Sequence, residues 1–228
     1  MAMNDKRCVI LFVKLPEKGR VKSRLALHAG EDVAVRLYEN MVLDAIDMLK
    51  RGRFLFRICY TPSDARDQMM EWLGRKYDYL PQTGDRLGDR MEAAFAGVFS
   101  GDVEEALLIG SDIPGLTTEV IEEAFTSLLT KDAVIGPADD GGYYLIGFRK
   151  KTFTPHVFHD MVWSTSTVFR ETQDRLRQAS LSLHVLPELT DIDTLEDLKT
   201  LLSSVKESQL GPSRTRSFLE QHCRDLLK

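Results

Sequence analysis

Short apolar, β-branched runs alternate with amphipathic helical segments along this chain, and that alternation narrows the possible folds more than any other feature. The run Cys8-Val-Ile-Leu-Phe-Val13 carries no polar residue at any second position, so both of its faces need cover, as in a strand inside a parallel sheet. Across residues 31–51 the side chains Ala34, Leu37, Tyr38, Met41, Val42, Ala45, Ile46 and Leu49 keep helical spacing, with Gly52 placed as a C-terminal cap. Residues 54–60 read as the next strand. Thr61-Pro62-Ser63-Asp64 then offers an N-cap, a first-turn proline and an early acid for a helix reaching about Leu73. Further strands are expected at 77–82, 106–109, 133–136, 143–148 and 181–186. Further helices are expected at 86–99, from Thr117 or Thr118 to about 130, at 164–179, and after Thr194, which has Asp197 three residues on. The expected fold class is α/β: a single-domain α/β/α sandwich with a mostly parallel, mixed central sheet and right-handed crossovers. We expect residues 1–206 to form that domain and 207–228 to be a peripheral, helical tail.

Composition bounds the function. With 228 residues and 43% hydrophobic content the chain can bury a core, and its net charge of -5 argues against a general affinity for nucleic acid, which calls for a basic face. Cys8, Cys59 and Cys223 are odd in number and far apart, which suits a reducing cytoplasm better than a disulfide framework or a zinc cluster. Residues 1–7 are polar, and no stretch approaches the roughly 18 consecutive apolar residues of a membrane span.

The residues that carry chemistry fall where strands end, the place where ligands gather in such folds. Lys14-Leu-Pro-Glu-Lys-Gly-Arg-Val-Lys-Ser-Arg24 concentrates five cations after the first strand of an acidic protein. With Gly19 and Pro16 in the loop, it can aim backbone N–H groups and cationic heads at a polyphosphate; a solvated charged loop is the alternative. Glycines for a P-loop are missing, and no GxGxxG follows a strand. The strand that ends at Gly110-Ser111-Asp112 projects Asp112 beside a Pro114-Gly115 turn, a place suited to Mg²⁺ or Mn²⁺ or, alternatively, to simple turn stabilisation. Asp139-Asp140-Gly141-Gly142 reads either as a hairpin turn or as acids that handle an acceptor's hydroxyl, Asp139 or Asp140 orienting it or taking its proton. Asp191-Ile-Asp193 places two acids on one side of an extended stretch, and Asp193 is a candidate to complete a cation site with Asp112. His156 and His159 lack a third ligand nearby and read as structural, while Trp163 either walls the acceptor site or fills the core.

Taken together, these segments resemble bacterial glycosyltransferase-like proteins of the nucleotide-diphospho-sugar transferase superfamily, with the GT-A fold. The likeness rests on the Lys14–Leu25 segment, Gln82-Thr-Gly-Asp-Arg-Leu-Gly-Asp-Arg-Met91, Gly110-Ser-Asp-Ile-Pro-Gly115, the segment from Gly136 to Gly147, Trp163-Ser-Thr and Asp191-Ile-Asp-Thr194. It implies that Lys14, Lys22 and Arg24 meet nucleotide phosphates and that the loop from Gln82 to Gly88 lies near base and ribose. Asp112 matches the superfamily's metal-binding aspartate, and Asp193 the second metal acid of some related nucleotidyltransferases. The Lys-Ser-Arg-Leu and Asp-Ile-Asp-Thr segments also look like those of phospholactate guanylyltransferases. The first expectation is metal-dependent glycosyl transfer from a nucleotide-diphospho-sugar to a small-molecule acceptor. Nucleotidyl transfer with release of pyrophosphate is the alternative, and a nucleotide-binding module without turnover the third reading.

Overall fold

A computed structural model describes residues 6–202 and 213–222. The polar start before Lys6, Cys223 and the expected boundary near 206 lie outside the described residues. Inside the sheet β1 (Arg7–Lys14) is flanked by the parallel strands β2 (Phe56–Thr61) and β4 (Glu105–Ile109), β4 being the central strand. Beyond β2 lies the parallel β3 (Asp78–Pro81). On the other side β6 (Tyr143–Arg149) runs antiparallel to β4, β5 (Ala133–Pro137) pairs antiparallel to β6, and β7 (Leu183–Val185) rejoins in parallel to β5. The seven-stranded order is therefore β3-β2-β1-β4-β6-β5-β7.

The unbroken apolar run of β1 is explained by cover on both faces. Val9, Leu11 and Val13 pack with α2 (Glu31–Arg51), α3 (Arg66–Leu73) and α5 (Thr118–Ser127). The alternate residues Cys8 and Ile10 pack under α4 (Leu87–Phe99) and α6 (Val168–Gln178). A strand residue points to the face opposite its neighbours, so two cores come from one run of sequence. Three further helices, α1 (Ser23–Ala29), α7 (Leu195–Leu202) and α8 (Arg214–His222), join the α2 side. Asp44 of α2 accepts the backbone N–H groups of Arg214 and Thr215, which docks the start of α8.

Two expectations are corrected. Thr61 does not cap a helix: it is the last residue of β2, paired with Lys14, and its carbonyl accepts the Leu15 N–H at 2.8 Å. The Thr61–Pro62 peptide is cis, and α3 starts only at Arg66. Gly52 is the C-cap of α2, as expected, with right-handed φ of -71°; Arg53, at φ 55°, takes the left-handed position. The N–H groups of Arg53 and Phe54 return to the carbonyls of Lys50 and Leu49, a Schellman closure. A Cβ at 52 would stand 2.1 Å from the Phe54 ring, which would have to shift to admit it. The helix expected from Ser164 begins at Val168, since Ser164 (φ 63°) belongs to the preceding loop.

Antiparallel β6 shapes the site. The carboxyl ends of β1, β4 and β5 share one rim of the sheet with the amino end of β6. Past β7 the chain climbs to the same rim through a bridge between Ala138 and Leu189, where the Asp139 N–H meets the Leu189 carbonyl at 3.2 Å.

Candidate functional site

Lys22 is the pivot of that rim. It precedes α1 with φ 47° and ψ 42°, a left-handed conformation that costs a non-glycine residue about 1–2 kcal/mol. Its ammonium lies 3.0 Å from Asp112 Oδ2 and 2.6 Å from Asp193 Oδ1. The lysine side chain is 3% exposed, whereas the two carboxylates keep 38% and 41%. Burial disfavours a charged lysine, yet Asp112 and Asp193 outweigh it and hold the ammonium's pKa above its ordinary value. Asp112 mirrors this: burial alone would raise it, and the ammonium at its side pulls it below the usual carboxylate range.

Behind this triad is a hydrogen-bond knot that the sequence did not single out as a site. Tyr38, from the middle of α2, accepts the Lys14 N–H at 2.8 Å and shares a bond of 3.1 Å with Ser111 Oγ. Burial first of all pushes the Tyr38 hydroxyl up to about 12, so it stays protonated and ties the ends of β1 and β4 together. Asp193 is held from the other side. The Asp197 carboxylate accepts the N–H groups of Asp193 (3.0 Å) and Thr194 (2.6 Å), while the Asp197 N–H returns to Thr194 Oγ1 at 3.2 Å. This reciprocal cap of α7 was legible as Thr194 with Asp197 three residues on.

A cavity of about 520 Å³ opens over the triad. Its walls include Lys14, Lys22, Gln82, Asp112, Asp140, Trp163, Asp191 and Asp193 from the sequence reading, joined by Arg90 and Tyr143. The Gln82 carboxamide donates to the Cys59 carbonyl at 2.9 Å, and Arg90 Nε to the Gly84 carbonyl at 2.9 Å, which fixes the loop entering α4. Tyr143 and Trp163 meet edge-on with ring centres 6.3 Å apart. Asp191 is pushed up to about 7 by burial, then by Asp193, Asp140 and Asp112, a sign that acids outweigh cations on this wall. The Asp-x-Asp spacing on an extended stretch already put Asp191 and Asp193 on one side; Tyr38 was hidden among the apolar residues of its helix.

Other sequence candidates lie elsewhere. Arg24 is exposed on α1 and forms no part of the cavity wall, nor does exposed Asp139. Gly19 turns the loop with φ 75°, and Gly88 admits Trp163, for a Cβ there would be 3.1 Å from the indole. Asp140 keeps both roles left open by the sequence: its Oδ1 accepts the Gly142 N–H at 2.7 Å in the turn, and it lines the cavity. His159 pairs with Glu92 at 2.8 Å. Among the described residues no group of three or more His, Cys, Asp or Glu side chains is arranged to hold a metal ion. Asp112 and Asp193 are the residues that could share one, with further ligands from a bound molecule. No described helix is long and apolar enough to cross a membrane.

A family described as "Uncharacterized protein conserved in bacteria (DUF2064)" matches residues 43–165. No curated protein matches the chain. Among solved structures, a Desulfovibrio desulfuricans G20 protein provisionally described as a nucleotide-diphospho-sugar transferase is 39% identical, with 97% of this chain and 96% of that one covered at a TM-score of 0.92. The inositol-1-phosphate CTP transferase from T. maritima is 14% identical over 93% of this chain and 98% of its own, with a TM-score of 0.55. CMP:2-keto-3-deoxy-manno-octonic acid synthetase, solved with CTP, is 10% identical over 90% of this chain and 100% of its own, also at 0.55. At such identities the last two likenesses are of fold alone.

Proposed function

The chain belongs to the bacterial family described as "Uncharacterized protein conserved in bacteria (DUF2064)", and on that footing we propose that it is a nucleotidyltransferase acting on a nucleoside triphosphate and a phosphorylated small-molecule acceptor. One observation carries the reading: Asp112 from the end of β4 and Asp193 from the approach to α7 converge on a single positive charge, at 3.0 and 2.6 Å. In this reading Asp193 would be the second acid of the cation site, which is what the likeness to nucleotidyltransferases implies. An Asp-x-Asp pair that included Asp112 would need its other acid at 110 or 114, where Gly110 and Pro114 stand.

In the proposed reaction an oxygen of the acceptor's phosphate attacks the α-phosphorus, the bond from that phosphorus to the bridging oxygen breaks, and pyrophosphate leaves. An acceptor phosphate is already ionised near neutral pH, so no general base is required. Lys14 and Lys22 would set positive charge against the pyrophosphate, in place once the nucleotide is bound and before the reaction begins. Asp140 would orient the acceptor, and the loop from Gln82 with Arg90 would meet base and ribose. The oxygen donors of Asp112 and Asp193 suit Mg²⁺ or Mn²⁺, whose contribution when bound is to neutralise charge on the polyphosphate. We place the enzyme in the cytoplasm, where the buried thiols of Cys8 and Cys59 stay reduced.

Glycosyl transfer is the second reading, favoured by the 39% identical protein provisionally described as a nucleotide-diphospho-sugar transferase. Thermal-shift panels of nucleoside triphosphates and nucleotide sugars, with and without Mn²⁺, test both. A ligand that binds only the folded state at 100 times its Kd adds about 2.7 kcal/mol. The proposal expects the larger rise with a triphosphate and its loss in Asp112→Asn; a larger rise with a nucleotide sugar selects the second reading. If no member of either panel raises Tm, both fail.

A further inference from the structure

We propose that Lys22 is a resident counter-ion that keeps divalent cations off the Asp112–Asp193 pair until a polyphosphate arrives, so that cation and nucleotide load together. The inference rests on the reading of the site given above and adds an order of binding to it. Four observations meet at this side chain. Its backbone is held in the left-handed region, where lysine has no intrinsic reason to be. Its side chain is sunk to 3% exposure, while the two carboxylates it serves face the cavity at 38% and 41%. Its ammonium takes both carboxylates at once, at 3.0 and 2.6 Å. Lys22 also lines the cavity.

The charge arithmetic sets the direction. Without Lys22 an incoming ion meets two carboxylates; with it, the pair has already lost half of its charge to a cation within hydrogen-bond reach. A divalent ion sharing those oxygens stands a few ångströms from the ammonium, and like charges that close repel strongly at any dielectric proper to a protein surface. A triphosphate reverses the balance by bringing several negative charges of its own. Lysine suits such a role because its ammonium is a point charge on a flexible stem, able to leave the carboxylates for a phosphate without breaking a bidentate fork.

The test uses Mn²⁺ alone, with no nucleotide, read by electron paramagnetic resonance of the free ion in titrations of the full chain. Lys22→Met should bind Mn²⁺ at least about tenfold more tightly than the parent, a factor worth about 1.4 kcal/mol. Lys22→Gln, which keeps an N–H donor for the carboxylates without the charge, should do the same and serves if the methionine variant does not fold. Adding Asp193→Asn to either variant should abolish the gain. Affinity that is unchanged or weaker in the neutral variants overturns the proposal, as does a gain that survives Asp193→Asn. Because nucleotide is absent, this result is independent of the thermal-shift panels: a gain with silent panels would sink the nucleotidyl reading and leave the counter-ion standing.

Discussion

Gly141→Ala should destabilise the chain by about 2–5 kcal/mol, and the turn that carries Asp140 explains why. Gly141 has φ 88°, and an ideal Cβ there would lie 2.3 Å from the Ser166 carbonyl oxygen and 2.5 Å from its Cα. These are backbone atoms, not the end of a side chain that can swing away. The turn cannot easily retreat either: the Gly141 N–H donates to the Ala138 carbonyl at 3.1 Å, and its own carbonyl accepts the Phe169 N–H at 2.9 Å. The left-handed backbone costs alanine about 1–2 kcal/mol. Forcing a methyl group into filled space costs about 1–3 kcal/mol more. For a domain of this size each kcal/mol moves Tm by roughly 2–4 °C, so a fall of at least about 4 °C is expected in a calorimetric melt. Gly97→Ala is the control. Gly97 is an exposed residue of α4 with nothing within 4 Å of its would-be Cβ, and alanine there should add about 0.5–1 kcal/mol. A Gly141→Ala protein melting within about 2 °C of the parent would refute the reasoning, because the Ser166 backbone would then have to yield at little cost.

Phe95 is fully buried with the rings of Phe148 and Phe153 at 5.3 and 5.2 Å, so Phe95→Ala should cost about 3–5 kcal/mol in urea unfolding. Asp197→Ala removes the cap that holds the Asp193 and Thr194 N–H groups and should cost about 0.5–2 kcal/mol, with a weaker nucleotide-induced rise in Tm because Asp193 loses its anchor. Asp132 is held below the usual carboxylate range chiefly by the Ser182 hydroxyl at 2.6 Å and N–H at 2.9 Å, with Arg149 assisting against the opposing effect of burial. Its contribution is therefore present above about pH 4, the unfolded value, and fades as pH falls through the lower folded value. Asp132→Asn should flatten the acid limb of the stability curve in denaturant melts run between about pH 3 and 7.

Much of the sheet was legible because burial on two faces writes itself as an unbroken apolar run, as in β1, and because α2 and α4 repeat apolar residues at helical spacing. Local chemistry misled where a longer-range pairing overrode it. Thr61-Pro62-Ser63-Asp64 has the residues of a helix start, but the Leu15 N–H claims the Thr61 carbonyl and keeps it in the sheet. The reversal at β6 was anticipated only as a mixed sheet, since Asp139 to Gly142 signals a turn without saying which strand pairs next. At the site, Asp112, Asp193 and Lys22 were each visible as residues at strand or loop ends. That the lysine would stand between the two acids was not visible, for contacts across 90 and 171 positions leave no periodic trace. Tyr38 shows the same limit: its ring belongs to the stripe of α2, and only its hydroxyl reaches the rim.

The three members of the charged triad enter the world at different times. A ribosome releases Lys22 early, Asp112 90 residues later, and Asp193 only 171 residues after the lysine. At translation speeds of about 5–20 residues per second, Asp193 is added on the order of ten seconds after Asp112. The triad is therefore complete only once the chain has passed its last strand, β7, and reached residue 193.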